Sequence, residues 1–340
     1  MLTRIQICLL CLSLPALAQQ SAPPDRRVTL DVVVTDKSGK PVPGLQQTDF
    51  TIIDNKQPQQ ILSFQAMDRK AADLPVEVIL LVDAINTEVD NTSNARLLLK
   101  KYLSQNGGQL ALPTSMVFYS NSATNIQKTA TRDGNALLAE VDKNVSGLRS
   151  VTKSTAYGES DRFHMSFDAL NQIVAIEETK PGRKLLIWLS SGWPLLSGPN
   201  MNLTTKMRQD LFNAAVLVSR ELMRARVTLY SVDTLGVANA GSVDVNQYRQ
   251  YLKGVTGPKQ MEPGNLALQV IATQTGGRVL TTDHDLGRQI ENCMNDTDAW
   301  YVLSFDAPHP DGPNEYHKLD VKMGKGGLTA RTLTGYYPQP

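Results

Sequence analysis

The segment at residues 76–87 constrains the fold of this chain more than any other. It reads V-E-V-I-L-L-V-D-A-I-N-T and contains an unbroken apolar run, Val78–Val82. Such a run predicts a strand buried on both faces, as in a parallel sheet covered by helices. Ligand sites in such sheets lie just beyond the carboxyl ends of the strands. We therefore expect Asp83, Asn86 and Thr87 to lie at the functional edge of the sheet.

The middle of the chain alternates between buried strands and amphipathic helices. Apolar periodicity predicts helices at residues 94–104, 134–142, 163–178, 205–225, 266–275 and 285–294, and strands at 114–119, 184–189, 227–232 and 278–281. Strands that alternate with helices indicate an α/β fold with a doubly wound, mostly parallel sheet.

Both ends of the chain show the two-residue period of half-buried strands. The pattern predicts strands at 28–34, 301–305 and 319–323, and a hairpin with arms at 50–54 and 59–67 joined by Asn55–Lys56. Each end is too small to fold alone, so we expect a small β-sandwich built from both. The predicted organisation is a signal peptide (1–18), an N-terminal β segment (19–72), the α/β domain (73–298) and a C-terminal β segment (299–340) that pairs with 27–67.

The N-terminus has the pattern of a secretory signal peptide. Arg4 precedes an apolar run at 5–14, and Ala16–Ala18 forms an A-x-A cleavage site. The run is too short to span a bilayer, so we predict a secreted or periplasmic protein with no membrane span in the mature chain. The mature chain then keeps one cysteine, Cys293, which is either a small core residue or the site of an intermolecular disulfide.

Composition and motifs narrow the function classes. The formal net charge of the 340 residues is +1, which does not favour a nucleic-acid or acidic-membrane partner. The chain carries no G-x-S-x-G, H-E-x-x-H or P-loop motif, and no G-x-G-x-x-G after a strand. His284 lies between two aspartates, where a helix start capped by Thr282 or Asp283 is the favoured interpretation. We therefore predict a non-enzymatic protein.

Three motifs in their order along the chain resemble one family. They are D-F-T-I-I-D-N-K at 49–56, L-V-D-A-I-N-T at 81–87 and G-Y-Y at 335–337. This layout resembles the von Willebrand factor type A (VWFA)-related proteins that are abundant in acidobacteria. The resemblance implies a type A domain between flanking β segments in an exported protein.

The resemblance also implies a metal-ion-dependent adhesion site, which is degenerate here. The family's D-x-S-x-S stands as Asp83, Ala84, Ile85, Asn86 and Thr87, so Ile85 replaces the middle serine. A divalent ion such as Mg²⁺ would be held by Asp83, Thr87 and Thr155, with Thr152 as a competitor for the last position. Ser191 stands where the family has a third-loop aspartate. Alternatively, Asp83 and Thr87 hydrogen-bond the neighbouring backbone at a strand end.

The predicted function is adhesion or protein–protein binding at the carboxyl edge of the sheet. The loops at 83–94, 150–162, 190–202 and 233–264 would shape that surface, with Asn86, Ser191, Trp193 and Asp233 as partner-binding residues. Trp193 is either an exposed anchor or a lid over the sheet edge. The partner would be a protein or a surface ligand. The alternatives are a structural component of the envelope and a carbohydrate-active or hydrolase accessory protein.

Overall fold

A computed structural model describes residues 26–69, 75–86, 89–120, 124–145, 156–190, 192–193, 203–233, 247–280 and 285–338 of the chain. For residues 89–95, 145, 156–157 and 159 it describes the backbone. The predicted signal peptide lies outside these ranges, as do Thr87, Thr152, Thr155, Ser191 and His284.

The described residues form a mixed α/β structure with three sheets. The strands are β1 Arg27–Thr35, β2 Phe50–Asp54, β3 Gln57–Gln59, β4 Ser63–Asp68, β5 Val76–Asp83, β6 Gln109–Tyr119, β7 Thr124–Ile126, β8 Thr131–Asp133, β9 Arg183–Leu189, β10 Val227–Val232, β11 Val279–Leu280, β12 Ala299–Asp306, β13 His317–Met323, β14 Thr329–Arg331 and β15 Gly335–Tyr336. The α-helices are α1 Val89–Leu103, α2 Gly134–Val145, α3 Ala156–Glu177, α4 Thr205–Arg224, α5 Leu268–Gln274 and α6 Leu286–Met294.

The central sheet is mostly parallel. Its strand order is β11-β10-β9-β5-β6-β7, and β8 also pairs with β6. Strands β5, β6, β9, β10 and β11 run parallel, whereas β7 and β8 are antiparallel to β6. The chain moves from β5 to β6 on one side and then builds β9, β10 and β11 on the other. The order therefore reverses between β5 and β9, which makes the carboxyl ends of these strands a topological switch point.

Both faces of β5 are buried, as its sequence predicts. Ile79 and Leu81 pack in a core that α3, α4 and α5 contribute to, together with Leu186 and Trp188 of β9. The alternate residues, Val78, Leu80 and Val82, pack in a second core with side chains of α1, α2 and α6. The period of two along a strand sends neighbouring side chains to opposite faces, so an apolar run satisfies two helical layers at once.

Two helices begin well before their predicted starts, and a third has a different cap from the one predicted. Helix α1 begins at Val89 and α3 at Ala156, five and seven residues before the apolar pattern indicated, so parts of the predicted loops 83–94 and 150–162 are helical. The first turns of α3, such as Gly158–Asp161, are polar and carry no apolar period. Helix α6 is capped by Asp285, whose side chain accepts a bond from Arg288 N, and not by Thr282 or Asp283.

The terminal strands form the two smaller, antiparallel sheets. Their orders are β14-β1-β12-β4 and β15-β13-β2-β3, so each sheet combines strands from both ends of the chain. Residues of both sheets, including Leu30, Ile52, Leu303 and Leu319, share a third core. The predicted hairpin is partly wrong: the turn at residues 55–56 joins β2 to the short β3, and the chain then crosses to the other sheet, where β4 pairs with β12.

A buried carboxylate joins the α/β layer to the terminal strands. Asp296 forms ion pairs with Arg278 and with Arg331 of β14, and it accepts a hydrogen bond of 2.7 Å from the hydroxyl of Tyr230. Its carbonyl accepts a 3.0 Å bond from Arg183, whose guanidinium lies 5.6 Å from the ring centroid of Trp300. Burial alone would raise the pKa of Asp296, but Arg331 and Arg278 hold that pKa below its usual value.

Candidate functional site

The carboxylate of Asp83 lies at the switch point and is saturated by hydrogen bonds. Its Oδ1 accepts from the backbone N–H groups of Ile85 and Asn86, both at 2.9 Å. Its Oδ2 accepts from Asn86 Nδ2 and from the indole Nε1 of Trp188, both at 2.8 Å. Asp83 is 1% exposed. A buried carboxylate requires such compensation, because burial without partners costs several kcal/mol (roughly 2–7 even for a neutral polar group).

The amide of Asn86 extends this network to the neighbouring helix and strand. Asn86 Nδ2 donates to Ser166 Oγ at 2.9 Å, and the Ser166 hydroxyl donates to the carbonyl of Arg162 at 2.7 Å. Since that proton is committed, the hydroxyl of Tyr119, at 3.2 Å, donates to Ser166. The network therefore ties the end of β5 to α3 and to the end of β6. The buried Asn86 Oδ1 has no hydrogen-bond partner among the described residues.

Trp188, which bonds Asp83, packs against a second tryptophan, Trp193. Trp188, on β9, is fully buried, and Trp193 is 4% exposed. Their ring centroids are 5.1 Å apart at an interplanar angle of 81°, an edge-to-face arrangement. Trp193 Nε1 donates to the carbonyl of Leu266 at 2.6 Å. The structure therefore places Trp193 as a lid over the sheet edge and not as an exposed anchor.

The backbone before Trp193 is built for this close packing. Ser190 Oγ accepts a 3.0 Å bond from Gly192 N, which turns the chain at the end of β9. Gly192 has φ +100°, and a Cβ at this position would lie 2.6 Å from Gln269 Nε2. Any other residue would meet backbone strain, and its Cβ would displace the amide end of Gln269.

Burial sets the protonation behaviour of the cluster. It raises the pKa of Asp83 above the usual value, against the opposing effect of the bonds from Asn86, Trp188 and Ile85. It also raises the pKa of Tyr119, so this phenol stays neutral at ordinary pH and can donate to Ser166. The lone pairs left on Asn86 Oδ1 belong to an amide, which is too weak a base to take a proton from a substrate.

The geometry of Asp83 does not fit the metal site that the resemblance implies. An oxygen that accepts two N–H groups has no lone pair to offer an ion, and Mg²⁺ requires oxygen ligands near 2.0–2.1 Å. Trp188 Nε1 also points a positive N–H dipole at Oδ2, where a cation would have to bind. The other two proposed ligands, Thr87 and Thr155, lie outside the described residues. Within the described ranges, no three His, Cys, Asp or Glu side chains are grouped as a metal would need.

The four partner-binding residues predicted from sequence have different positions. Asn86 and Trp193 are buried, so neither side chain is on the surface. Asp233 follows β10, where its N–H bonds Leu280 O at 2.9 Å and its side chain is half-buried; β9 separates β10 from β5. Ser191 lies outside the described residues.

Three residues of the cluster, Ser166, Tyr119 and Trp188, were not predicted from the sequence. Ser166 carried a usable signal, because it interrupts the apolar stripe of α3 formed by Phe163, Phe167 and Leu170. A polar side chain at such a position requires a buried partner. The bond between Trp188 and Asp83 joins residues 105 positions apart, and no local pattern indicates it.

Comparison with known proteins leaves the family open. No family model matches the sequence, and no curated protein matches it. Among solved structures, an aerotolerance-related membrane protein from Bacteroides fragilis is 14% identical with a TM-score of 0.38, covering 65% of this chain and 98% of that one. The pilus adhesin SpaC from Lactobacillus rhamnosus GG is 10% identical with a TM-score of 0.39, covering 88% of this chain and 49% of the adhesin.

A third similar structure is the PilB minor pilin from Streptococcus sanguinis. It is 10% identical with a TM-score of 0.35, and the match covers 65% of this chain and 62% of the pilin. These scores carry no argument about function. In the described part of the chain, no helix has both the length and the apolarity needed to cross a bilayer.

Proposed function

We propose that this chain is an exported, von Willebrand factor type A-like binding protein that holds a protein partner or surface ligand at the carboxyl edge of its central sheet. The observation that carries the proposal is the hydrogen-bonded cluster around Asp83 at the switch point. It fixes the ends of β5, β6 and β9 relative to α3, and so provides a rigid base for the loops above it.

The lengths of the loops at the two ends of the parallel strands also favour the carboxyl edge as the binding surface. The connections that leave the carboxyl ends of β9 and β10 are long, at residues 190–204 and 233–267. Those that return to the amino ends of β9, β10 and β11 are short, at 178–182, 225–226 and 275–278. Long loops on a rigid scaffold are where binding residues concentrate.

In this proposal binding at the edge is independent of metal. The carboxylate oxygens of Asp83 accept hydrogen bonds from protein donors. Asn86 and Trp193 act as positioning residues that shape the loops. The contacts to the partner come from the loops themselves and from exposed residues at the start of α4. The mechanism is binding with no bond chemistry.

Site-specific photo-crosslinking in the native host tests the proposal. A photoreactive phenylalanine replaces Lys206, which is exposed in the first turn of α4 at the carboxyl edge. The matched control replaces Thr179, exposed at the opposite edge after α3. We expect a discrete adduct from position 206, absent from position 179 and unchanged by EDTA.

Two outcomes contradict the proposal. Equal adducts from positions 206 and 179 would show that the partner does not bind specifically at the carboxyl edge. An adduct abolished by EDTA would contradict metal-independent binding. An adduct made only of two copies of this chain would favour the envelope-assembly alternative over a separate partner.

A further inference from the structure

A groove lies at the edge of the central sheet opposite Asp83. It is formed by the C-terminal ends of α1 and α6 and by the start of β6, with a volume of about 290 Å³. Small-molecule sites span roughly 300–1,000 Å³, so the volume of the groove lies just below that range. Its lining includes Arg69, Tyr102, Glu291 and Met294, together with several amide side chains.

The walls of this groove are rich in carboxamides. Five of the lining side chains are amides: Gln105, Asn106, Gln109, Asn292 and Asn295. None of the five amide groups has a hydrogen-bond partner among the residues that the structure describes. Each amide can donate two hydrogen bonds and accept two, so the groove carries many unused donors and acceptors with no net charge.

Tyr102 adds a polar group to the floor of the groove. Its hydroxyl donates to Met294 Sδ at 3.0 Å, and a thioether is a weak acceptor. The oxygen of the phenol keeps its own lone pairs. Burial, with a smaller effect of Glu291, raises the pKa of Tyr102 to about 12, so the group is neutral at physiological pH.

The charges around the groove do not favour an anionic ligand. The guanidinium of Arg69 is paired with Asp298 at 3.2 Å. Glu291 adds a carboxylate, which can accept hydrogen bonds from hydroxyl groups. A phosphate or carboxylate ligand would therefore meet a negative charge and a neutralised arginine.

One wall is formed by a conformationally unusual turn. Asn106, Gly107 and Gly108 have φ values of +51°, +69° and +87°, three left-handed residues in succession. The turn is held by Asn135 Nδ2, which donates to Gly107 O at 3.2 Å. Glycine adopts this region without strain and asparagine tolerates it, so the turn shapes the wall at no steric cost.

We propose that this groove binds a neutral saccharide. Hydroxyl groups both donate and accept, as carboxamides do, so adjacent hydroxyls of a sugar ring match the five amides and the Tyr102 oxygen, and they can donate to the carboxylate of Glu291. This site is separate from the proposed partner-binding edge, and either can exist without the other.

Saturation-transfer NMR of the full chain tests the proposal. The panel contains neutral oligosaccharides of glucose, galactose, mannose and N-acetylglucosamine. The strongest ligand is then titrated by calorimetry into the native protein and into the double variant Gln109→Met/Asn292→Leu. Neither side chain bonds another described residue, so the variant should fold normally. The matched control is Gln57→Met, an exposed glutamine on β3.

We expect saturable binding of at least one saccharide, with the dissociation constant raised about tenfold or more in the double variant and unchanged in the control. Absence of binding across the panel contradicts the proposal. So does binding that the double variant retains at full strength while circular dichroism shows both proteins folded.

Discussion

At Asp83 the side chain that looked most like a metal ligand acts as an acceptor for three residues of its own chain. The bonds from Ile85, Asn86 and Trp188 fill both oxygens. A strand-end carboxylate of this kind stabilises the local backbone as an Asx turn does. Its function follows from position, because it holds the switch point in one geometry.

The indole of Trp188 gives the sharpest test of this role. Trp188→Phe removes the N–H donor to Asp83 and keeps most of the ring packing, so we expect a loss of about 1.5–3 kcal/mol in the free energy of unfolding. The matched control, Trp193→Phe, removes a bond to a neutral carbonyl and should cost about 0.5–1.5 kcal/mol. Urea denaturation measures both; an equal cost for the two variants would contradict the account.

Ser166 tests the link between the strand ends and α3. Ser166→Ala leaves Asn86 Nδ2 and the Tyr119 hydroxyl with one buried partner fewer, which costs about 1–3 kcal/mol. Ser166→Cys, of similar size but weaker hydrogen bonding, should be intermediate. A Ser166→Ala variant as stable as the native protein in urea denaturation would show that the network does not contribute to stability.

At the scale of elements, α4 begins at the proposed binding edge through a side-chain cap. Thr204 Oγ1 accepts a 3.2 Å bond from Met207 N. Thr204→Ala should lower the free energy of unfolding by about 1 kcal/mol. Thr204→Ser keeps a hydroxyl at the cap and should retain most of the native stability. Thermal denaturation followed by circular dichroism compares the two; no difference between them would contradict the capping role.

Local patterns predicted most elements but not their long-range pairing. The run Val78–Val82 predicted the central strand, because burial on both faces leaves a direct mark on composition. The alternation at residues 59–67 did not show that β4 pairs with β12 rather than with β2, because an alternating strand fits any antiparallel neighbour. Helix starts were missed where the first turns carry no apolar period in the sequence, as in α3.

The candidate site was predictable in place but not in chemistry. The end of β5 was identified because a parallel sheet puts its ligand sites there. The hydrogen bond from Trp188 to Asp83 was not predicted, because every local criterion describes Trp188 as an apolar residue of a buried strand. Its polar N–H group matters only once β9 lies beside β5.

At the scale of the whole molecule, Asp296 couples the α/β layer to the terminal strands. Breaking buried ion pairs costs about 3–5 kcal/mol, and its arginines are about a quarter exposed, so Asp296→Asn should cost about 3 kcal/mol at pH 7. Asp296 has a depressed pKa in the folded protein, so its contribution is complete above the usual value of 3.8 and declines as pH falls through the folded pKa.

The cost of Asp296→Asn should therefore shrink as the pH is lowered below about 4. The contribution of Asp83 to stability has the opposite pH dependence, because its raised pKa favours the folded state more at low pH. Asp83 is present in both the native protein and the Asp296→Asn variant, so its contribution cancels in the difference between them. Urea denaturation from pH 3 to pH 7 measures this, and a cost independent of pH would contradict the ion-pair role.

The central claim is that the carboxyl edge is organised by protein hydrogen bonds to Asp83 and not by a metal ion. Titration calorimetry of the full chain with Mg²⁺, Mn²⁺ and Ca²⁺, repeated on Asp83→Ala, tests it most directly. The account predicts no saturable heat from the native protein with any of the three ions. Binding in the micromolar range that disappears in a folded Asp83→Ala variant would contradict it.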